Sequence, residues 1–141
     1  MKTDGSNEVS TTIDQPEYHW NNRVVLITED EEINFYYLKT LLKKTEAKII
    51  RAKNGKEAVD IITEYKGQID LILMDLNMPV MDGYEAMRII KSRHPEIPII
   101  AQTAYTLNND RMRCLKAGFN DYIAKPINRV ALFRMVSENL S

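Results

Sequence analysis

Five residues in this 141-residue chain have side chains that could act on one another chemically: Glu29, Asp30, Asp75, Thr103 and Lys125. Each stands at, or just beyond, the carboxyl end of an apolar run that reads as a β-strand. Open parallel sheets bind their ligands in the crevice outside those ends. Asp75 follows the unbroken apolar run Leu71 to Met74, the pattern of a strand buried on both faces, and Pro79 prevents that strand from continuing. Adjacent carboxylates repel, raise one another's pKa and call for a cation. An oxygen-only donor set without His or Cys selects a hard ion such as Mg²⁺. Thr103 can donate its hydroxyl to an anionic oxygen, and Lys125 can ion-pair with Asp75 or with a bound phosphoryl group. Pro126 favours a cis Lys125–Pro126 bond, which would aim the ammonium inward. Three acids, a hydroxyl and a lysine make a phosphoryl-transfer set. In it Asp75 is the nucleophile, attacking as the carboxylate with no need of a base.

Each of these residues also has a blander reading. Asp75 could cap a turn, Glu29 and Asp30 could sit at the start of a helix, Thr103 could bond locally, and Lys125 could be solvated surface. Their coincidence at one sheet edge favours a reactive site.

The elements that must position them follow from hydrophobic periodicity. Apolar strand-like runs at Val24–Thr28, Ala47–Arg51, Ile69–Met74, Ile97–Gln102 and Asp121–Ala124 alternate with helical patterns. The first helix spans Glu32 to Lys44 through Ile33, Tyr36, Tyr37, Leu41 and Leu42. Asn54 can cap the second, which holds Ala58, Val59, Ile61 and Ile62. Asp82 opens the third, which stops before Pro95. The fourth runs from about Asn108 to Ala117 and ends at Gly118, suited to a left-handed cap. The last begins near Asn128 and buries Leu132, Phe133 and Val136. Strict alternation with short connections implies a parallel sheet covered by helices on both faces, joined by right-handed crossovers. Residues 1–22 are polar and lack apolar periodicity, so they read as a disordered leader or linker from which Tyr18 or Trp20 could pack onto the domain edge. Residues 23–141 form the domain.

Composition narrows the function classes. The formal net charge of -1 gives no global attraction to nucleic acid or anionic membrane. No apolar run approaches the ~20 residues of a membrane span, and a secretory signal is missing. A single cysteine, Cys114, excludes an internal disulfide and reads as a small core hydrophobe. All of this suits the cytoplasm. His19 and His94 lack companion ligands, and Arg111, Arg113, Arg129 and Arg134 read as solvated faces. Neither a phosphate-cradling glycine loop nor a nucleic-acid module is recognisable.

Four segments carry a family resemblance: Val24-Val25-Leu26-Ile27-Thr28-Glu29-Asp30, the stretch from Met74-Asp75-Leu76-Asn77-Met78-Pro79 to Asp82-Gly83, Ile99-Ile100-Ala101-Gln102-Thr103-Ala104, and Asp121-Tyr122-Ile123-Ala124-Lys125-Pro126. Together, in this order and at this spacing, they resemble the receiver domain of two-component response regulators over about Arg23 to Asn139. The resemblance implies a doubly wound, flavodoxin-like five-stranded parallel sheet of order 2-1-3-4-5. It implies that Asp75 accepts a phosphoryl group from a phosphohistidine of a histidine kinase or histidine phosphotransfer domain. Magnesium would be held by Asp30, Asp75 and the backbone carbonyl of Asn77, with Glu29 at the other acidic position, usually reached through water. Thr103 and Tyr122 match the pair whose inward movement reports phosphorylation on the face built by the fourth helix, fifth strand and fifth helix. That face would meet a downstream protein or a second copy. The resemblance also puts Asn77 and Tyr105 at positions that in that family tune phosphoryl lifetime.

The segments Glu29 to Asn34 and Ala101 to Tyr105 look like receivers attached to hybrid sensor histidine kinases. The chain would then be a kinase fragment, tethered where that kinase is a membrane sensor, with its leader as the linker and no output domain fused after the last helix. A stand-alone single-domain response regulator is the alternative. As a switch it would have only weak self-catalysed phosphorylation and dephosphorylation. An aspartyl-phosphate phosphatase is a further alternative, although haloacid-dehalogenase-type enzymes want an acid where this chain has Asn77. A pure binding module that keeps the fold without phosphorylation is a third.

Overall fold

The structure, a computed structural model, describes residues 17–104 and 110–140. Its strands are β1 (Val24–Thr28), β2 (Lys48–Ala52), β3 (Leu71–Asp75), β4 (Ile99–Thr103) and β5 (Asp121–Ala124). The helices between and after them are α1 (Glu32–Lys43), α2 (Gly55–Glu64), α3 (Gly83–Arg93), α4 (Asp110–Ala117) and α5 (Arg129–Leu140). All strand pairings are parallel, and the sheet order is β2-β1-β3-β4-β5, the doubly wound arrangement expected.

Pleat alternation divides the core in two. Leu26, Ile72, Met74, Ile99 and Ala101 face one side, where Ala58, Ile62, Met87, Ile90 and Cys114 of α2, α3 and α4 cover them. Val25, Ile27, Leu71, Leu73, Ile100 and Ile123 face the other, under Leu38 and Leu42 of α1 and Leu132, Phe133 and Val136 of α5. Every residue of β3 is buried, as its unbroken apolar run requires.

Local chemistry sets the helix ends. Asn54 accepts the Glu57 N–H at 2.9 Å, and the Glu57 carboxylate answers by accepting the Lys53 N–H at 2.8 Å. Asp82 caps α3 through the Glu85 N–H, and Asn128 caps α5 through the Ala131 N–H, each at 2.9 Å. Gly118, at φ +128°, closes α4 in the left-handed region that glycine tolerates. Tyr105 and Asn108 lie outside the described residues.

Three strands run slightly later than periodicity suggests. Pro98 has no N–H to donate, so regular β4 begins at Ile99, and the Leu76 N–H donates to the Gln102 carbonyl at 3.0 Å. The ladder therefore runs through Asp75, and Thr103 is the last residue of β4 rather than the first beyond it. Likewise, β2 extends to Ala52, which pairs with Thr28.

Packing also reaches back to Tyr18, ahead of the composition change at Arg23. The Trp20 N–H donates to the Thr45 carbonyl at 2.7 Å, and its ring lies 6.2 Å from Phe133 of α5 in an edge-on contact. Tyr18 stacks beside both rings, and Arg23 reaches across to the Leu140 carbonyl at 3.0 Å. Replacing Trp20 with Ala is expected to cost about 3 kcal/mol of stability, read from the midpoint of urea unfolding. An unchanged midpoint would mean that this aromatic contact does not stabilise the fold.

Candidate functional site: an acidic cleft at the carboxyl edge of the sheet

Parallel strands deliver their last residues to one edge, and the acids, the threonine and the lysine meet there. Carboxylate oxygens of Glu29, Asp30 and Asp75 all lie within 4.8 Å of one another. Glu29 and Asp75 are buried, whereas Asp30 is exposed and opens the cluster to solvent. Lys125 spans the sheet edge. Its Nζ lies 3.2 Å from Asp75 Oδ2 and 3.2 Å from Glu29 Oε1. The Lys125–Pro126 bond is cis, and the Lys125 N–H donates to the Thr103 carbonyl at 2.8 Å.

Each of the two buried acids has a further anchor. Asp75 Oδ1 accepts the backbone N–H of Asn77 at 3.1 Å, while the Asn77 side chain is exposed. Glu29 Oε2 accepts the Glu31 N–H at 3.2 Å, and Asn34 Nδ2 donates to Glu29 Oε1. Arg51, at the carboxyl end of β2, donates through Nε and one terminal nitrogen to the Glu29 carbonyl, at 3.1 and 3.0 Å. Asn34 and Arg51 are site residues that sequence reasoning missed as contributors. Asn34 is one helical turn beyond the acids it serves, and Arg51 reaches the site only because β2 lies beside β1. The signal for Arg51 was its place at a strand's carboxyl end, the criterion that found Lys125.

Thr103 is buried at the end of β4, and Tyr122 is half-buried on β5, packed against the core that faces α2, α3 and α4. The loop leaving Asp75 turns sharply at Val80. The Met81 N–H reaches back to the Pro79 carbonyl at 2.7 Å, and Val80 sits at φ +69°, unfavourable for a β-branched residue. Gly83 follows because the loop folds onto the end of β3, where a Cβ would press on the Asp75 carbonyl and come within 2.9 Å of Leu76 Cα. His19 and His94 stand apart from this cleft, each beside a glutamate, and Cys114 is buried in the core.

Electrostatics at the edge are strained. Burial, and next the charge of Glu29, push the Asp75 carboxyl up to about 6, against the opposing pull of Lys125 and the Asn77 N–H. Burial alone would lower the Lys125 ammonium, but Asp75 and Glu29 together hold it above the ordinary lysine value.

The chain that carries this crowded carboxylate has counterparts among known proteins. The family described as "Response regulator receiver domain" matches residues 25–137. The chain belongs to this family. Over 123 residues it is 38% identical to Hybrid signal transduction histidine kinase I of Dictyostelium discoideum, covering 82% of this chain but only 7% of that kinase. Over 108 residues it is 38% identical to the polar-differentiation response regulator DivK of Brucella anthropi, covering 74% of this chain and 85% of that protein. The receiver domain of the sensor histidine kinase PA1611 from Pseudomonas aeruginosa superposes with a TM-score of 0.75 at 36% identity, covering 84% of this chain and 97% of that one. Its structure has a magnesium ion coordinated in the active-site cleft. A yeast receiver domain, that of Ssk1 from Saccharomyces cerevisiae in complex with the histidine phosphotransfer protein Ypd1, gives a TM-score of 0.73 at 37% identity, covering 82% of this chain and 87% of that one.

The raised Asp75 carboxyl gives this receiver a pH signature. The folded state keeps the Asp75 proton up to about pH 6, whereas the unfolded chain releases it near 3.8, the ordinary value for an aspartate. Folding therefore takes up protons between those values, and the stabilisation present below the lower one is lost as pH rises through the upper. In metal-free protein, stability to urea is expected to fall between pH 4 and pH 7, and Asp75→Asn is expected to flatten that slope. Parallel profiles for the two proteins would place the slope elsewhere.

Proposed function

We propose that this receiver takes a phosphoryl group onto Asp75 from a phosphohistidine of a histidine kinase or histidine phosphotransfer domain. The observation that carries the reading is the Lys125 ammonium shared between Asp75 and Glu29 at 3.2 Å each, beside an exposed third carboxylate. Asp75 attacks phosphorus as the carboxylate, a P–O bond forms as the P–N bond breaks, and the imidazole leaves. Lys125 then pairs with the added phosphoryl charge.

The donor set fits magnesium. Its oxygens are close enough to share one ion, and such a carboxylate cluster with neither His nor Cys suits a hard cation. Asp30, Asp75 and the Asn77 carbonyl would hold it, with Glu29 at the remaining acidic position. When bound, it supplies positive charge against the phosphoryl oxygens. Asn34 and Arg51 keep Glu29 and the end of β1 in place. Thr103 and Tyr122 act as the switch pair, carrying the change to the face formed by α4, β5 and α5, where a downstream protein or a second copy binds. A ligand shifts such an equilibrium only through unequal affinity for its two states.

The chain spans 7% of the hybrid kinase it resembles and most of DivK, and it is equally identical to both. Membership of a hybrid sensor kinase is favoured by the segments around Glu29 and Thr103, while the DivK match supports a stand-alone regulator. In either case we place the receiver in the cytoplasm, with residues 1–22 as the leader into the domain. Among the described residues, no helix is long and apolar enough to cross a membrane.

Mass spectrometry after treatment with acetyl phosphate and Mg²⁺ tests the acceptor. The wild-type chain should gain one phosphoryl group and Asp75→Asn none; an unmodified wild type would refute the reading. The donor's approach is tested separately. Ile33 and Tyr36, one helical turn apart on α1, and Val80 on the loop after β3 are 86%, 70% and 79% exposed, leaving apolar side chains around the acidic edge for a donor protein to cover. Ile33→Asp should slow transfer from a phosphorylated donor domain by tenfold or so, a loss of ~1.4 kcal/mol, while uptake from acetyl phosphate is unchanged. Equal slowing with both donors would mean that the substitution damages the site itself.

A further inference from the structure

The acceptor has an immediate neighbour that the reaction above leaves unused. Gln102 on β4 is the register partner of Asp75 on β3. Alternation sends Ala101 toward the α2, α3 and α4 side and Ile100 toward the α1 and α5 side, so Gln102 leaves the sheet on the second face. On β3 the same alternation puts Leu73 and Asp75 on that face. Lys125 follows β5, yet its ammonium reaches Asp75 on β3 and Glu29 after β1. Its side chain must therefore cross β4, the strand that carries Gln102.

Gln102 is 1% exposed, and neither its Nε2 nor its Oε1 has a hydrogen-bond partner among the described residues. A carboxamide carries N–H donors and a carbonyl acceptor that must otherwise be satisfied. Leaving it buried and unpaired is unfavourable, because the lost hydration is not replaced. The surrounding core does not explain the choice, since an apolar side chain of similar volume would fill the space without that cost. In the unphosphorylated domain both Asp75 oxygens are already engaged, one with the Asn77 N–H and one with Lys125. Phosphorylation brings three further acceptor oxygens to this position.

We propose that Gln102 is a further phosphoryl-binding residue, whose carboxamide is unpaired in the resting domain and donates Nε2–H to an oxygen of the acyl phosphate on Asp75. The proposal rests on the reading of Asp75 as the acceptor. It makes the resting state bear an unsatisfied group that the phosphorylated state satisfies. Gln102 thereby shifts the balance between the two states toward the phosphorylated one.

The test uses the full chain with Mg²⁺ and beryllofluoride as the phosphoryl mimic. In ¹⁵N-labelled protein, the Gln102 side-chain amide signals are assigned by their disappearance in Gln102→Leu. On adding beryllofluoride, the wild-type signals should move downfield and exchange with solvent more slowly. Gln102→Leu should bind the mimic about tenfold more weakly, equivalent to ~1.4 kcal/mol, while its resting stability holds or rises. Amide signals that stay put while the wild type binds, or that are already protected in the resting state, would overturn the proposal. Unchanged affinity in Gln102→Leu would do the same. If that variant does not fold, Gln102→Met serves for both assignment and affinity. A wild type that binds no beryllofluoride at all would instead point to failure of the acceptor reading, so the two failures are distinguishable.

Discussion

One ammonium shared by two buried carboxylates is the interaction on which the rest of this structure depends. Without Lys125 between them, Glu29 and Asp75 would stand as like charges in a poorly solvated pocket, and one would have to take up a proton. Removing one member of a buried charge set is more damaging than exchanging the whole set for apolar residues, because the remaining charge is left uncompensated. The lysine therefore both permits the acids to be crowded and binds them provisionally. A group that brings its own charge to Asp75 competes for the same ammonium.

The sheet makes this crowding possible. Side chains distant in sequence converge because every strand runs in the same direction and ends at the same edge. The strands stay aligned because two apolar cores, one on each face, are built from alternate residues of the same runs. A shift of one residue in β3 would exchange Met74 with Asp75, sending the carboxylate to the wrong face and a thioether to the cleft. The continuous burial of β3 makes such a slip costly in both directions.

Much of this was legible in the sequence, for physical reasons. Strand-end acids, a strand-end lysine and the alternation of periodicities are local patterns, and Asn54, Asp82 and Gly118 mark helix boundaries through groups that act within a turn of themselves. Other features depend on what lies across the sheet. Arg51 reaches Glu29 only through the pairing of β2 with β1, and Asn34 does so only through the position of α1. The lone amide of Gln102 is invisible in one dimension, since a glutamine in a strand gives no sign of whether it meets a partner. Polarity also concealed how Tyr18 and Trp20 dock together, because their neighbours in sequence follow no helical or strand period.

That docking has a geometric consequence. Trp20 is wedged between Thr45 and Phe133, and Arg23 grips the Leu140 carbonyl, so the backbone enters β1 beside the place where α5 finishes. Both lie at the amino-terminal pole of the sheet, on the far side of the domain from Asp75. The described chain therefore enters and leaves the domain at one pole, with the acidic rim at the other.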